Sequence, residues 1–410
     1  MQSSSRKLTD SSRPPADDLR ISSRAVAIWV YAGAFMLLIQ VILGGITRLT
    51  GSGLSITQWD VVVGVLPPLN HDQWMQAFDG YKHTEQFRIL NSDFTLANYK
   101  TIFFWEWFHR FWARLVGVVF IIGFVWFLVK RQLNRWMIGQ LALLFLVGAL
   151  QGTVGWIMVA SGFVGDAIYV APTKLALHFI FALGLIVYTF WFALQLSVPV
   201  STRLTSPDGA RPTPQPEPAD PRRSPQPASA EPQGPATAST RLVTLRRWTA
   251  LLLVLLFFQL LYGALMAGHK AATAAHTWPD INGSFLPPGA FTQHPLLHDL
   301  VGNKLTVHFI HRNLAYCIFI GVVIWTILAV RIAPLPAFFR RLRWLPMGIV
   351  TLQIALGICS LLTSPGIVPH HWGAFEWLAQ FHQITGLVFL LTMVGMLYLV
   401  IPVGHPANRT

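Results

Sequence analysis

Apolar residues fall in eight continuous stretches, at approximately 25–46, 102–128, 137–159, 173–196, 248–267, 304–330, 344–363 and 376–402. Each is long enough to cross a bilayer as a helix, which takes about 20 apolar residues. None alternates polar and apolar positions in short segments, which argues against a transmembrane β-barrel. The expected fold is therefore an all-α integral membrane protein with eight transmembrane helices. Between the fourth and fifth runs, the 197–247 connection is rich in Pro, Ala, Ser and Arg, as in Pro212-Thr213-Pro214-Gln215-Pro216. Such a segment buries too little apolar surface to offset the entropy of ordering, so 198–246 is expected to be a disordered linker. It separates four-helix halves at 25–197 and 247–402, flanked by an arm at 1–24 and a tail at 403–410.

The two halves read as repeats. Gln-x-x-x-Gly recurs at Gln40/Gly44, Gln151/Gly155, Gln259/Gly263 and Gln353/Gly357, once in each odd-numbered run. His109 and Gln151 are 42 residues apart, as are His311 and Gln353; Gln151 and His178 are 27 apart, against 29 for Gln353 and His382. The outer loops share Leu66-Pro67-Pro68 and Leu286-Pro287-Pro288. Order and spacing held in common point to two pseudo-repeated four-helix bundles.

Composition agrees: 53% of residues are hydrophobic and only 11% charged, with a mean hydropathy of +0.50, where a soluble domain carries about 25% charged residues. A net charge of +13 raises the question of nucleic acid, but the basic residues gather in short segments between apolar runs. Lys130, Arg131 and Arg135 mark one turn, and Arg331, Arg340, Arg341 and Arg343 another. By the positive-inside rule these segments and both termini are cytoplasmic. The first two dozen residues mix basic groups with Asp10, Asp17 and Asp18, which speaks against a transit peptide and for a bacterial inner membrane. Cys317 and Cys359 are the only cysteines; they form no metal or redox motif and are expected to be small core residues.

Four histidines then stand out. His109, His178, His311 and His382 each lie on an even-numbered run a few residues past its outer end, at about 10 Å depth. Imidazoles at membrane depth are costly unless paired or bound. Within each half, two helices offer one imidazole apiece at similar depth, the arrangement two axial haem ligands need. Singly, each reads as well as an interfacial histidine bonded to backbone. A metal without porphyrin would lack further ligands, since no acidic or Cys group joins the pairs.

Arg110 and Arg312 follow two of the proposed ligands and suit haem propionates, or snorkel to headgroups. Arg48 and Lys174 are weaker candidates for that task. Three residues before the ligand, the first half has Glu106 and the second His308, each on its histidine's helical face. Glu106 reads equally as a proton acceptor beside a porphyrin and as a helix-start carboxylate paired with Arg110. His308 is an alternative ligand in the second half. The Gln-x-x-x-Gly motifs are read as close helix packing with an interhelical amide bond. Trp105, Trp107, Trp112 and Trp156 suit an aromatic belt or a porphyrin wall, and His269 is expected to be solvated at a helix exit.

These residues resemble the haem A synthase family, membrane enzymes that oxidise a methyl group of haem O to the formyl group of haem A. The matching stretches are Gly44-Gly45-Ile46-Thr47-Arg48-Leu49-Thr50 with Ser52-Gly53-Leu54-Ser55, Glu106-Trp107-Phe108-His109-Arg110, and Gln151-Gly152-Thr153-Val154-Gly155-Trp156. In the second half they are Thr277-Trp278-Pro279 with Asn282-Gly283, His311-Arg312, and His382-Gln383. The resemblance covers about 25–400, apart from the Pro-rich connection. It implies that the amino-terminal half takes substrate haem O through His109 and His178, with Arg110 beside them and Glu106 as the catalytic acid. It also implies that the carboxy-terminal half keeps haem b on His311 and His382, with Arg312. Residues 47–100 contain no cysteine, whereas some members carry a pair there, so the chain resembles the cysteine-less branch. At His308, members more often have an amide side chain.

The expected activity is successive hydroxylation of the C8 methyl of haem O, in haem A biosynthesis for cytochrome oxidase. The alternatives are a di-haem b-type cytochrome that only transfers electrons, and a haem or small-molecule transporter built from repeats. Expected partners are haem O synthase, an electron donor and membrane lipid, with no nucleic acid; a homo-oligomer is compatible with all of this.

Overall fold

The computed structural model describes residues 16–58, 65–199, 202, 204, 235–332 and 336–401. Most of the expected arm and Pro-rich linker, and the tail, lie outside the described residues. In chain order the helices are α1 (Ala16–Leu49), α2 (His71–Lys82), α3 (Glu85–Leu90), α4 (Leu96–Val129), α5 (Arg135–Ala160) and α6 (Pro172–Ser197). They continue as α7 (Pro235–His269), α8 (Leu296–Gly302), α9 (Lys304–Val330), α10 (Ala337–Leu342), α11 (Leu345–Thr363) and α12 (Ala374–Val400). Among the described residues, eight helices are long and apolar enough to span a membrane, and they coincide with the eight apolar runs. The helix of the fifth run starts at Pro235, well before the expected 248. Hydropathy marks only the part in hydrocarbon, and Ala, Leu and Arg sustain a helix beyond it.

Local signals set the starts. Thr95 and Asn98 close a capping box ahead of α4, which satisfies orphan amides where the helix enters the membrane. Asn134 caps α5 and Asn303 caps α9 through their side chains, and Pro172 opens α6, where its missing N–H costs nothing.

In the first half α1 packs on α4 and α6, and α5 on α6; in the second, α7 packs on α9 and α12, and α11 on α12. The halves are joined by α6 against α7 and α12 and by α1 against α12. At that seam Gln383 Nε2 donates to the Val41 carbonyl at 2.9 Å and Gln380 Nε2 to that of Ile42 at 3.2 Å. Gly45 makes room, since a Cβ there would lie 2.5 Å from Gln380 Oε1. The halves differ in closure: α9 packs on α11 along the backbone, whereas α4 meets α5 mainly through side chains such as Phe120 and Phe145, stacked at 6.1 Å.

The largest buried cluster fills the second half and the seam, with Leu252, Val322, Trp325, Phe389 and Met393 at its centre. Trp325 Nε1 donates to Thr249 Oγ1 at 2.8 Å, so its buried indole is satisfied. Outward faces are apolar too, as Val118, Ile122 and Val125 on α4 illustrate. Cys317 and Cys359 lie on such outward faces, not in the core as expected. In a bilayer both environments are apolar, and hydropathy does not separate them.

Candidate functional site

Each of the four histidines faces one Gln-x-x-x-Gly motif on a neighbouring helix. Gln40 Nε2 lies 3.1 and 3.2 Å from the two ring nitrogens of His109 and donates to its carbonyl at 3.2 Å. Gln151 repeats this on His178 at 3.2 and 3.4 Å, with the carbonyl at 3.1 Å. Gln259 and Gln353 place Nε2 3.3 and 3.2 Å from Nε2 of His311 and His382. The glycine one turn later admits the ring: a Cβ on Gly44, Gly155, Gly263 or Gly357 would lie 3.2, 2.8, 3.3 or 2.9 Å from the Cε1 of its histidine. The motif therefore does allow close packing, as expected, but its amide partner is the imidazole. Sequence reasoning had the motif and the histidines and missed that they belong together.

The rings of His311 and His382 are 6.4 Å apart between centroids, with planes at 69°. Two imidazoles bonded to one metal at about 2 Å each place their centres roughly 6 Å apart. His382 Nδ1 lies 3.0 Å from the Gln353 carbonyl, a bond that puts the proton on Nδ1 and leaves Nε2 as the acceptor of the Gln353 amide. His109 and His178 are within electrostatic reach of each other. Among the described residues no three His, Cys, Asp or Glu side chains gather in one place. The His311–His382 pair could therefore supply two positions on a metal, and the four nitrogens of a porphyrin would complete six. The second-half pair fits a bis-histidine haem in spacing and donor type.

Glu106, one turn outward of His109, is 2% exposed. Its Oε2 accepts from Ser55 Oγ at 2.7 Å and from the Ile56 amide at 2.9 Å, and its Oε1 from Arg110 Nη2 at 2.5 Å. Tyr99 in turn donates to the Ser55 carbonyl at 3.1 Å. The loop after α1 thus folds back over the carboxylate, and the pairing with Arg110 is present. Ser55 and Ile56 are site residues that periodicity could not identify; the Ser52-Gly53-Leu54-Ser55 match was the only signal.

The second half builds its outer end differently. His308, 1% exposed, stands in place of Glu106. Arg312 donates to the carbonyls of Asp280 at 2.7 Å and Thr277 at 2.6 Å. The Asp280 carboxyl is held below the usual range by the Thr277 hydroxyl and then by the Gly283 amide, so the stretch after α7 is a clasp for Arg312. Both arginines expected beside propionates are therefore engaged by protein groups. Arg48 reaches the Ala267 carbonyl at 3.4 Å, and Lys174 is exposed. Lys270 is pushed down to about 8 by burial, with Arg48 and Lys304 adding to the effect. His269 is not solvated as expected: its Nε2 bonds the Val301 carbonyl at 2.7 Å, because α8 folds back against the end of α7.

The sequence profile of the COX15-CtaA family, described as cytochrome oxidase assembly proteins, matches residues 27–394. The chain belongs to this family. Among similar proteins is the haem A synthase of Caulobacter sp. strain K31, 37% identical over 360 residues, covering 87% of this chain and 94% of that one. The haem A synthase of Rhodopseudomonas palustris strain BisA53 is 38% identical over 378 residues, 92% of this chain and 90% of the relative. That of Methylorubrum populi is 36% identical over 398 residues, 96% and 91%. The COX15-CtaA match spans both histidine pairs and Glu106, so the paired architecture is within the family's own extent.

Proposed function

We propose that this protein is a haem A synthase, oxidising a methyl substituent of haem O to the formyl group of haem A. The observation that carries the assignment of its sites is the 6.4 Å separation of His311 and His382, with His109 and His178 held by the same glutamine motif in the first half. His311 and His382 would hold haem b, and His109 and His178 the substrate. A bound haem would supply one-electron chemistry at iron. The chain's own part is to orient and enclose. The Gln-x-x-x-Gly motifs hold the imidazoles in place, and the loop around Ser55 covers the outer end of the first bundle. Glu106 is fixed by three donors one turn from His109, where a preorganised carboxylate can stabilise developing positive charge or take up a proton released as the methyl group is oxidised. The basic segments between the spans support a reading with both termini cytoplasmic, which would put the histidines near the opposite surface of a bacterial inner membrane. Haem O synthase and an electron donor would be its partners.

The test is haem extraction from the purified protein and its variants. His311→Ala should lose the b-type absorption, while His109→Ala should keep it and form no haem A. Full b-type absorption in His311→Ala would remove that residue from the ligand set. Only haem b from the wild type, with no haem O or A, would favour the electron-transfer reading.

A further inference from the structure

At the end of the second bundle away from the histidines, an apolar cavity of about 360 Å³ lies between the last turns of α9 and the start of α11. Val323, Thr326, Ile327 and Val330 line it from α9, and Trp344 from the other side. The one hydroxyl in its wall is already spent, since Thr326 Oγ1 donates to the Val322 carbonyl at 2.8 Å. Ile327, Val330 and Trp344 are all exposed, so the cavity opens toward lipid and not into the core. Arg331 completes the lining where α9 ends.

Cations collect at that same end. Arg343 Nη1 donates to the Ala329 carbonyl at 3.5 Å, and Arg241 Nη1 to that of Arg331 at 2.7 Å, which brings three arginines to the last turn of α9. Arg340 and Arg341 follow on α10. Among the described residues the ion pairs are Lys82–Asp79, Arg88–Glu85 and Arg110–Glu106; none involves Arg331, Arg340, Arg341 or Arg343. Arg343 Nε is buried with no hydrogen-bond partner among those residues. Arginines at the end of a span are a topology signal and reach toward water. That reading accounts for the charge and leaves the cavity beside it unexplained, because an apolar space offers water no partners.

An occupant must therefore be apolar along the cavity and anionic at its arginine end. Val323 lies eight residues from Arg331, about 12 Å at the helical rise, which stays within one leaflet of a hydrocarbon core about 30 Å thick. A lipid chain that starts beside Arg331 has that direction and reach. Guanidinium groups pair bidentately with phosphate oxygens, and basic pockets between spans suit anionic headgroups. A zwitterionic headgroup brings a cation of its own, which these arginines repel. We infer that this site holds one anionic phospholipid, its phosphodiester on Arg331 and Arg343 and one acyl chain along Val323, Ile327 and Val330. Trp344 then stands at headgroup level, where an indole is favoured.

The test uses the full-length protein in detergent, washed free of lipid and titrated with phosphatidylglycerol or with phosphatidylethanolamine of the same acyl chains. The thermal midpoint reports binding. Phosphatidylglycerol should raise the midpoint and reach half-saturation at a concentration tenfold or more below that of phosphatidylethanolamine. Arg331→Gln combined with Arg343→Gln should weaken phosphatidylglycerol tenfold or more. Val330→Trp, which fills the cavity with the arginines intact, should do the same. Arg340→Gln combined with Arg341→Gln removes equal charge from α10, outside the cavity, and should stay within twofold of the wild type. Elution of each variant as a single species in size exclusion checks its fold. Equal response to the two lipids, equal loss from the two arginine pairs, or full affinity in Val330→Trp would overturn the inference and leave a general basic surface.

Discussion

At the scale of the residue, Glu106 shows why a buried carboxylate can be tolerated at the membrane's edge. Three donors face it, and an ionic group with that many partners is stabilised where a bare one would not be. Glu106→Ala would leave Arg110, Ser55 Oγ and the Ile56 amide without their acceptor, costing about 1–3 kcal/mol. Glu106→Gln retains shape and one acceptor oxygen, and so separates structure from chemistry. Both variants should keep b-type absorption while haem A recovered by extraction falls at least tenfold. Normal haem A from Glu106→Gln would confine the residue to holding the loop. The acid itself was legible in the sequence, by its place three residues before His109. Its engagement by Ser55 was not, because a loop contact across some fifty positions leaves no periodic trace. Cys317 and Cys359 were misread for another reason: lipid and core reward the same side chain.

At the scale of the element, the working unit is a helix pair, one partner carrying an imidazole and the other the glutamine and glycine that hold it. Gly357→Ala would set a methyl group 2.9 Å from His382 Cε1, and the ring is held against retreat by its bonds to the Gln353 amide and carbonyl. The expected result is loss or a marked shift of b-type absorption in the purified protein. Gly348→Ala, on the same helix but facing open space, should leave the spectrum alone and favour the helix by up to about 1 kcal/mol. Equal spectra from the two variants would count against the pairing of glycine and imidazole. The eight spans were legible because hydrocarbon thickness sets a length that continuous apolar runs must meet. The short helices α2, α3, α8 and α10 were not foreseen, since nothing in their length or hydropathy separates them from loop.

At the scale of the molecule, the halves are stitched through α12 onto α1. Gln380 and Gln383 spend their amides on backbone carbonyls of the other half, contacts worth about 0.6–2 kcal/mol each in a membrane. Replacing both by Leu should lower the thermal midpoint in detergent by several degrees while b-type absorption at low temperature is kept. An unchanged midpoint would show that apolar packing alone joins the halves. The repeat was legible from the 42-residue interval shared by both halves, but the way α12 crosses onto α1 was not, since a glutamine aimed at a backbone carbonyl of another helix leaves no mark in spacing.

The flank between α4 and α5 is closed by aromatic side chains, Phe120 stacked on Phe145 at 6.1 Å, where α9 and α11 meet along their backbones. Side chains change rotamer far faster than packed helices move apart, so the first bundle has a flank able to yield toward lipid with no hinge or lid, and the corresponding flank of the second is held by its helices.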